Sequence, residues 1–275
     1  MRALLIIAGS YLSLFPLYGQ FLLLDHAPKD PAGGSSSVQA GFLGDTFKVG
    51  ASGEVWVIDK IRVWGKFGAN GAAKATLFGG LENSAPVPGA IECDCHNLIP
   101  LNREPKAVRA ESAVWQMDFD HLNWSVPGGT AIQFGISGPR WSASLVNTGA
   151  PHQIKLFDAH GKFVKPNGDP SDAGFAVQVW GHLPATIEIR SDGDMWRVKL
   201  VRAGPLAAVG TNEASLRFGP ASAKPAAIHH EGNDLVIDFR VADSRIGPAD
   251  VNACLSGQRQ DGVPLEGCDL LKHDP

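Results

Sequence analysis

The sequence predicts an all-β protein made of two antiparallel β-sandwich domains, a jelly-roll-like one followed by a smaller immunoglobulin-like one. Its 275 residues exceed the usual size of a single domain, which favours two. The 32 glycines and 19 prolines place turn residues at short intervals, a composition that suits short strands better than long helices. Apolar residues alternate in short blocks, as expected for strands with one buried face.

The N-terminal segment predicts export. Arg2 precedes the apolar stretch Ala3–Leu17, and Gly19 is the small residue expected before a cleavage site. Residues 1–19 are therefore interpreted as a signal peptide. The alternative is an uncleaved membrane anchor, because Phe21–Leu24 prolongs the apolar stretch. In both cases we expect a periplasmic, cell-surface or extracellular protein, and only the second brings it to a membrane.

The first sandwich is predicted over residues 42–183, after an extended leader at residues 20–41 that contains proline, glycine and a serine run. The apolar residues of Val55–Val63 fit a pair of strands. Ala131–Ile136 and Phe175–Trp180 alternate with the period of two that is typical of a strand.

The second sandwich is predicted over residues 184–275, beyond a boundary near Leu183 and Pro184. Asp192–Asp194 is expected to form the turn of a hairpin. The predicted strands of this domain are Thr186–Ile189, Trp196–Leu200, Leu206–Val209, Leu235–Arg240, Val251–Leu255 and Leu265–Leu271.

Four cysteines in an exported chain predict disulfide bonds. Cys254 and Cys268 flank a hairpin-like stretch with a turn at Asp261-Gly262. A bond between these cysteines closes a loop of about 15 residues and is expected to contribute roughly 3 kcal/mol.

Cys93 and Cys95 are separated by a single residue, so a bond between them is tight. They are expected to pair with each other, to bridge to another chain or to remain thiols. With His96 they also form the most metal-like cluster of the sequence, suited to zinc or copper. The spacing differs from that of zinc fingers, which favours disulfide bonding.

Three segments resemble the β-sandwich of exported bacterial proteins that often carry a sorting tail of the PEP-CTERM type. They are the acidic-Phe strand Asp45–Val49, the strand Ile58–Gly65 and the closing strand Phe175–Gly181. The resemblance covers residues 42–181, and it implies a bacterial surface protein.

The second half is similar to a recurrent C-terminal module of secreted bacterial proteins, usually without an assigned activity. The resemblance follows Leu216–Gly219, Asp234–Phe239, Ala253–Gly257 and the final Glu266–Asp269. In that module an acidic loop suggesting calcium precedes the second of these segments. Here the loop reads His229–Asp234 and lacks most of the acids, so the resemblance does not carry a calcium site over.

Calcium is the cofactor that the acidic loops of the sequence suggest. Asp158, Asp169 and Asp172 lie in glycine-containing loops and could wrap the ion with side-chain oxygens. The alternative is that these residues form ordinary surface turns, since Asp caps its own backbone.

The tryptophans are the strongest indication of a ligand. The chain has seven tryptophans and two tyrosines, and exposed aromatic rings of exported sandwiches can stack on sugars. Trp64 and Trp180 lie in strands of the core pattern, so we expect them to be buried. Trp115, Trp124 and Trp141 stand near predicted strand ends and are the candidates for glycan binding, with packing in the core or at its rim as the alternative.

No catalytic motif supports an enzyme. Ser137 lacks the surroundings of a nucleophile elbow, and His229 with His230 is expected in a solvated loop. Nothing fixes the separation of the carboxylates Glu111, Asp118 and Asp120. The net charge of −4 provides no basic surface for nucleic acid.

The sequence thus predicts an exported, non-catalytic structural or accessory binding protein of the bacterial envelope or surface. No cofactor is expected, and bound calcium is the alternative. Its partners are expected to be proteins of a larger assembly, which could pair with sandwich edges, or polysaccharide. The alternatives are a carbohydrate-binding protein that uses the tryptophans and a hydrolase of unrecognised type.

Overall fold

The computed structural model describes residues 21–28, 35–37, 42–66, 75–81, 99–102, 105–109, 114–138, 142–152, 154–157, 163–166, 171–203 and 205–272. Within these ranges the chain forms 22 strands and two short helices, so the predicted all-β, sandwich-like class is confirmed.

The first 15 strands, in chain order, are β1 (Phe21–His26), β2 (Ser35–Ser37), β3 (Phe42–Lys48), β4 (Val55–Lys66), β5 (Thr76–Leu81), β6 (Ile99–Asn102), β7 (Lys106–Arg109), β8 (Trp115–Phe119), β9 (Trp124–Pro127), β10 (Ala131–Ser137), β11 (Ser142–His152), β12 (Lys155–Phe157), β13 (Phe163–Pro166), β14 (Ser171–Phe175) and β15 (Val177–Pro184). The remaining elements are β16 (Thr186–Asp192), β17 (Met195–Val201), α1 (Pro205–Val209), β18 (Thr211–Phe218), β19 (Ala227–Glu231), β20 (Asp234–Arg240), α2 (Val241–Ser244), β21 (Asn252–Arg259) and β22 (Pro264–Leu270).

The first hydrophobic core lies between two sheets. One sheet contains the neighbouring strands β7, β8, β4, β15 and β1, and the other has the order β13-β12-β3-β10-β5-β6. Phe134 of β10 sits at the centre, with its ring centroid 5.7 Å from that of Phe47 and 5.5 Å from that of Phe175. Edge-to-face and tilted contacts of this kind add to the stabilisation that burial provides.

The second core is separate and smaller. It lies between the sheet β16-β17-β20-β19 and the strands β22, β21 and β18. Phe218 and Phe239 stack in it with centroids 4.9 Å apart, and Trp196 is buried beside them. The buried residues of the first core end at Val179 and those of the second begin at Ile187, on either side of the predicted boundary.

A continuous sheet nevertheless joins the two cores. The end of β15 pairs with β22 in parallel, with Leu183 opposite Leu265, and the Ala185 amide donates a hydrogen bond of 2.7 Å to the carbonyl of Glu266. Gly267 permits this close approach, since a Cβ there would lie 2.1 Å from the carbonyl oxygen of Ala185. The backbones of the two sandwiches are therefore hydrogen-bonded to each other.

A buried ion pair lies at the same junction. Nη1 of Arg259 donates to Oε1 of Glu54 at 2.7 Å, and both side chains are only 7% exposed. The second oxygen of Glu54 accepts from the Ala51 amide at 2.8 Å and from Nε1 of Trp56 at 2.9 Å. Burial alone would raise the pKa of Glu54, but these three hydrogen bonds hold it below its ordinary value. The carboxylate therefore stays ionised at neutral pH.

Three local predictions were wrong. The segment predicted as the strand Leu206–Val209 is the helix α1, which begins at Pro205, a residue pre-organised for the first helical turn. Gly210, with φ of 83°, ends the helix. The predicted loop at His229 is the edge strand β19, and the predicted strand pair around Val55–Val63 is the single strand β4.

The cysteine prediction is confirmed for one pair. Cys254 and Cys268 lie opposite each other on β21 and β22 and form a disulfide. Cys93 and Cys95 lie outside the described residues. In the part of the chain that the structure describes, no helix has the length and apolar character needed to cross a membrane.

Replacing both Cys254 and Cys268 by alanine should lower the free energy of unfolding by about 3 kcal/mol, because the bond restricts the unfolded chain. Urea denaturation of the variant and the oxidised wild type measures the difference. Circular dichroism before denaturation should show unchanged strand content. An unfolding free energy equal to that of the wild type would contradict a stabilising role for this bond.

Replacing Arg259 by methionine should lower the free energy of unfolding by about 3 kcal/mol or more, since the buried Glu54 carboxylate loses its cation. The double variant Glu54→Gln/Arg259→Met removes both charges and should recover part of this loss. A double-mutant cycle in urea measures the coupling. Additive effects of the two substitutions would show that the pair is not coupled.

Candidate functional site

The solvent side of the first sheet carries a row of polar side chains that crosses five strands. Alternation along β15 buries Val177 and Val179 in the core, so Gln178, Trp180 and His182 point to the opposite side. The strand register places Arg62 beside Gln178. We call this surface the outward face, and its members are Asp25, Lys60, Arg62, Lys106, Gln116, Asp118, Asp120, Gln178, Trp180 and His182.

Ion pairs hold the middle of the outward face. Asp118 accepts hydrogen bonds from Nε and Nη2 of Arg62 at 2.6 and 2.7 Å, and from Nζ of Lys60 at 2.6 Å. Asp120 lies 3.3 Å from Lys60 and 3.1 Å from Lys106. Partial burial would raise the pKa of Asp118, but the bonds from Arg62 and Lys60 hold it below its ordinary value. Asp118 is therefore a fixed anion at neutral pH.

Trp180 is a partly exposed aromatic residue of the outward face, and the buried Trp64 lies on the same side of the sheet, opposite Gln116. Its ring centroid lies 5.1 Å from Nζ of Lys60 and 5.3 Å from the guanidinium carbon of Arg62, both within cation–π range. On the other side, its cross-strand neighbour is Leu22 of β1, which is 45% exposed. Trp180 itself is half-buried, contrary to the prediction that it belongs to the core. Trp64 is buried as predicted, at 7% exposure.

Of the tryptophans predicted to bind glycan, the two that the structure describes, Trp115 and Trp124, do not stand on the outward face. Trp124 points inward with Val126, packs against the first core, and lies so close to Gly79 that a Cβ there would be 2.7 Å from its ring. Trp115 begins β8 on the same side as the buried Met117 and is half-buried. Trp141 lies outside the described residues.

The predicted calcium ligands are not brought together by the described residues. Asp172 is exposed on β14, and its backbone carbonyl accepts a hydrogen bond of 3.1 Å from Oγ1 of Thr148. Asp158 and Asp169 lie outside the described residues. Among the residues that are described, the close group of metal-ligating types is Cys254, Glu266 and Cys268, whose sulfurs are bonded to each other.

A titratable cluster borders the outward face at the junction. Nδ1 of His182 lies 2.8 Å from Oδ2 of Asp59. Burial would lower the pKa of His182, but the bond to Asp59 and the charges of Asp59 and Glu266 raise it above its ordinary value. Burial raises the pKa of Glu266, and Asp59 adds to this while His182 opposes it. The cluster thus favours bound protons.

The second sandwich presents a charged surface of its own. Arg197 pairs with Asp238 and Asp192, both at 3.0 Å, and a recess beside it is lined by Lys199 and Val236. The two adjacent histidines of β19 point to opposite sides, as the strand geometry requires. His229 lies 3.5 Å from Asp238, and His230 lies 3.2 Å from Glu213 on β18.

No protein-family model matches the chain, and no curated protein matches it.

The cluster around His182 predicts a stability that falls as pH rises. His182 and Glu266 both have a raised pKa in the folded state, so each contributes stability at low pH. The contribution of Glu266 is complete below its unfolded pKa of about 4.5 and is lost as pH rises from there through its raised folded pKa. The contribution of His182 is lost in the same way as pH rises from about 6.5. The double variant His182→Gln/Glu266→Gln should therefore show a flatter decline than the wild type over this range.

Urea denaturation at a series of pH values measures the decline. The matched control is Thr186→Gln, which replaces an exposed residue without a titratable group and should keep the wild-type slope. Equal slopes for the wild type and the double variant would contradict the assignment of the decline to this cluster.

Proposed function

We propose that the protein is a non-catalytic accessory binding protein that works outside the cytoplasm and binds carbohydrate through the outward face. The observation that carries the proposal is the position of Trp180, a half-buried ring on the solvent side of the sheet, between cations of β4 and the exposed Leu22. Sugars present apolar C–H faces and hydroxyl groups together. An aromatic ring flanked by hydrogen-bonding side chains complements both.

The side chains beside Trp180 support binding in place of catalysis. Asp118 and Asp120 are the carboxylates nearest the middle of the face, and Lys60 contacts both. The lowered pKa of Asp118 makes it a poor proton donor at neutral pH, whereas glycoside hydrolysis needs a protonated carboxyl group. These carboxylates orient cations and hydrogen bonds on the surface.

Export is supported by two features of the chain. The apolar segment at Ala3–Leu17 follows a basic residue, as in signal peptides. The disulfide between Cys254 and Cys268 is typical of proteins in an oxidising compartment. The resemblance to exported bacterial sandwiches agrees with the same location.

A second candidate is a subunit of an envelope assembly, favoured by the edges of the second sandwich. The strands β18 and β19 each end a sheet, and a partner strand could pair there. Glu231 of β19 and Glu213 of β18 place charges along these edges, which limits unspecific pairing.

Binding to a glycan array should depend on Trp180. We expect the wild type to bind a subset of glycans and Trp180→Ala to lose at least about tenfold in affinity, since a central aromatic anchor dominates such sites. Trp115→Ala is the matched control, because it removes a half-buried tryptophan of the same sheet that lies off the outward face. Melting temperatures show that both variants are folded.

Equal binding by wild type and Trp180→Ala would place the glycan site elsewhere. If the array shows no binding, the second candidate is tested by cross-linking and mass spectrometry of the protein isolated from its native envelope. A fixed protein partner at constant stoichiometry, cross-linked to β18 or β19, would establish the subunit function.

A further inference from the structure

We infer that the ligand of the outward face is an uncharged polysaccharide that lies across the strands. This inference rests on the proposed function and specifies its ligand. It follows from the balance of charges on the face, from the hydrogen-bonding groups that remain, and from the direction in which the polar rows run.

The three cations of the outward face are already paired with carboxylates within the protein. Lys60, Arg62 and Lys106 each have a carboxylate oxygen of Asp118 or Asp120 within 3.3 Å. An anionic polymer would have to displace these carboxylates, which are held by short, partly buried bonds. A cationic ligand at Asp118 or Asp120 would have to displace the cations in the same way, and the carboxylate of Asp25 already accepts hydrogen bonds from the Ala27 amide and Gln178. A hydroxyl-rich, uncharged ligand leaves the network intact.

The hydrogen-bonding atoms of the outward face that the ion pairs leave unused can bind an uncharged ligand. Nε and Nη2 of Arg62 bind Asp118, so Nη1 is the nitrogen of that guanidinium left to donate outward. The amide nitrogen of Gln178 donates to Oδ1 of Asp25 at 2.9 Å, which fixes the amide and directs its oxygen away from that bond. A fixed donor and a fixed acceptor on either side of one strand suit hydroxyl groups, which both donate and accept.

The direction of the ligand follows from the register. Lys106, Asp118, Arg62, Gln178 and Asp25 are successive neighbours on β7, β8, β4, β15 and β1. Five strands spaced by about 4.8 Å give a row roughly 19 Å long, enough for several sugar units. Trp180 stands in the adjacent row, so one sugar can contact the part of the ring that Lys60, Arg62 and Leu22 leave exposed while its neighbours reach the polar row. Along the strand the face is limited by the junction at Pro184.

Isothermal titration calorimetry with two groups of soluble polysaccharides tests the inference. The uncharged probes are β-glucan, mannan and starch, and the anionic probes are alginate and polygalacturonate. We expect binding of at least one uncharged probe, with an affinity that changes less than about twofold when salt is raised well above physiological strength. Trp180→Ala should weaken this binding at least about tenfold, and Gln178→Ala should weaken it several-fold.

Arg190→Gln is the matched control. It removes an exposed cation from the second sandwich, where Arg190 is 70% exposed, and should leave the affinity unchanged. Binding of anionic probes alone, with affinity that falls steeply with salt and depends on Trp180, would overturn the uncharged ligand and keep the proposed function. Binding of any probe that is insensitive to Trp180→Ala and Gln178→Ala would overturn both, as would a lack of binding to all five probes.

Discussion

The ion pair between Glu54 and Arg259 is the interaction on which the arrangement of the two sandwiches depends. The residues are separated by 205 positions in the sequence, and each brings its own support. Glu54 is fixed by the Ala51 amide and Trp56, and Arg259 by Asp261. An isolated buried charge is far more costly than a paired one. Neither sandwich can therefore move away without leaving its own charged residue buried and unpaired. The hydrogen-bonded contact of β15 with β22 lies beside it.

The strand β15 connects this junction to the candidate site. Its inward residues Val177 and Val179 fill the first core, its outward residues carry Trp180 and His182, and its end pairs with the second sandwich. Displacement of β22 would therefore act first on His182 and Glu266, and through β15 on the position of Trp180. A binding face built on one strand of a continuous sheet is held more rigidly than one built on loops.

The sequence correctly predicted strands and turns that are determined by residues close together in the chain. The alternation of Ala131–Ile136 and the turn at Asp261-Gly262 specify a strand and a hairpin without knowledge of the rest of the fold. The helix α1 was missed although Pro205 and Gly210 are its start and stop signals, because its apolar residues also fit a short strand. Such short apolar blocks are ambiguous by periodicity alone.

The candidate site could not be predicted from the sequence without the tertiary structure. The period of two in Phe175–Trp180 separates the residues into two faces, but it does not say which face meets the core, and the core pattern assigned Trp180 to the wrong one. The partners of Asp118 come from β4, 56 and 58 residues away. No local pattern predicts a register between distant strands, so the ion pairs that orient Trp180 had no signal in the sequence.

The side chains of the outward face are held more firmly than those of an ordinary charged surface, and this favours ligand binding there. Exposed ion pairs on mobile side chains contribute little and adapt to any neighbour. Here Arg62 is held by two bonds to Asp118, and Lys60 is held by a third; Asp118 and Lys60 are each only 13% exposed. A ligand meets donors, acceptors and an aromatic ring that are already ordered, so little conformational entropy is lost on binding. The ordered ion pairs also exclude charged ligands that could bind only by breaking them. The ion-pair network therefore contributes to the specificity of the face for an uncharged ligand.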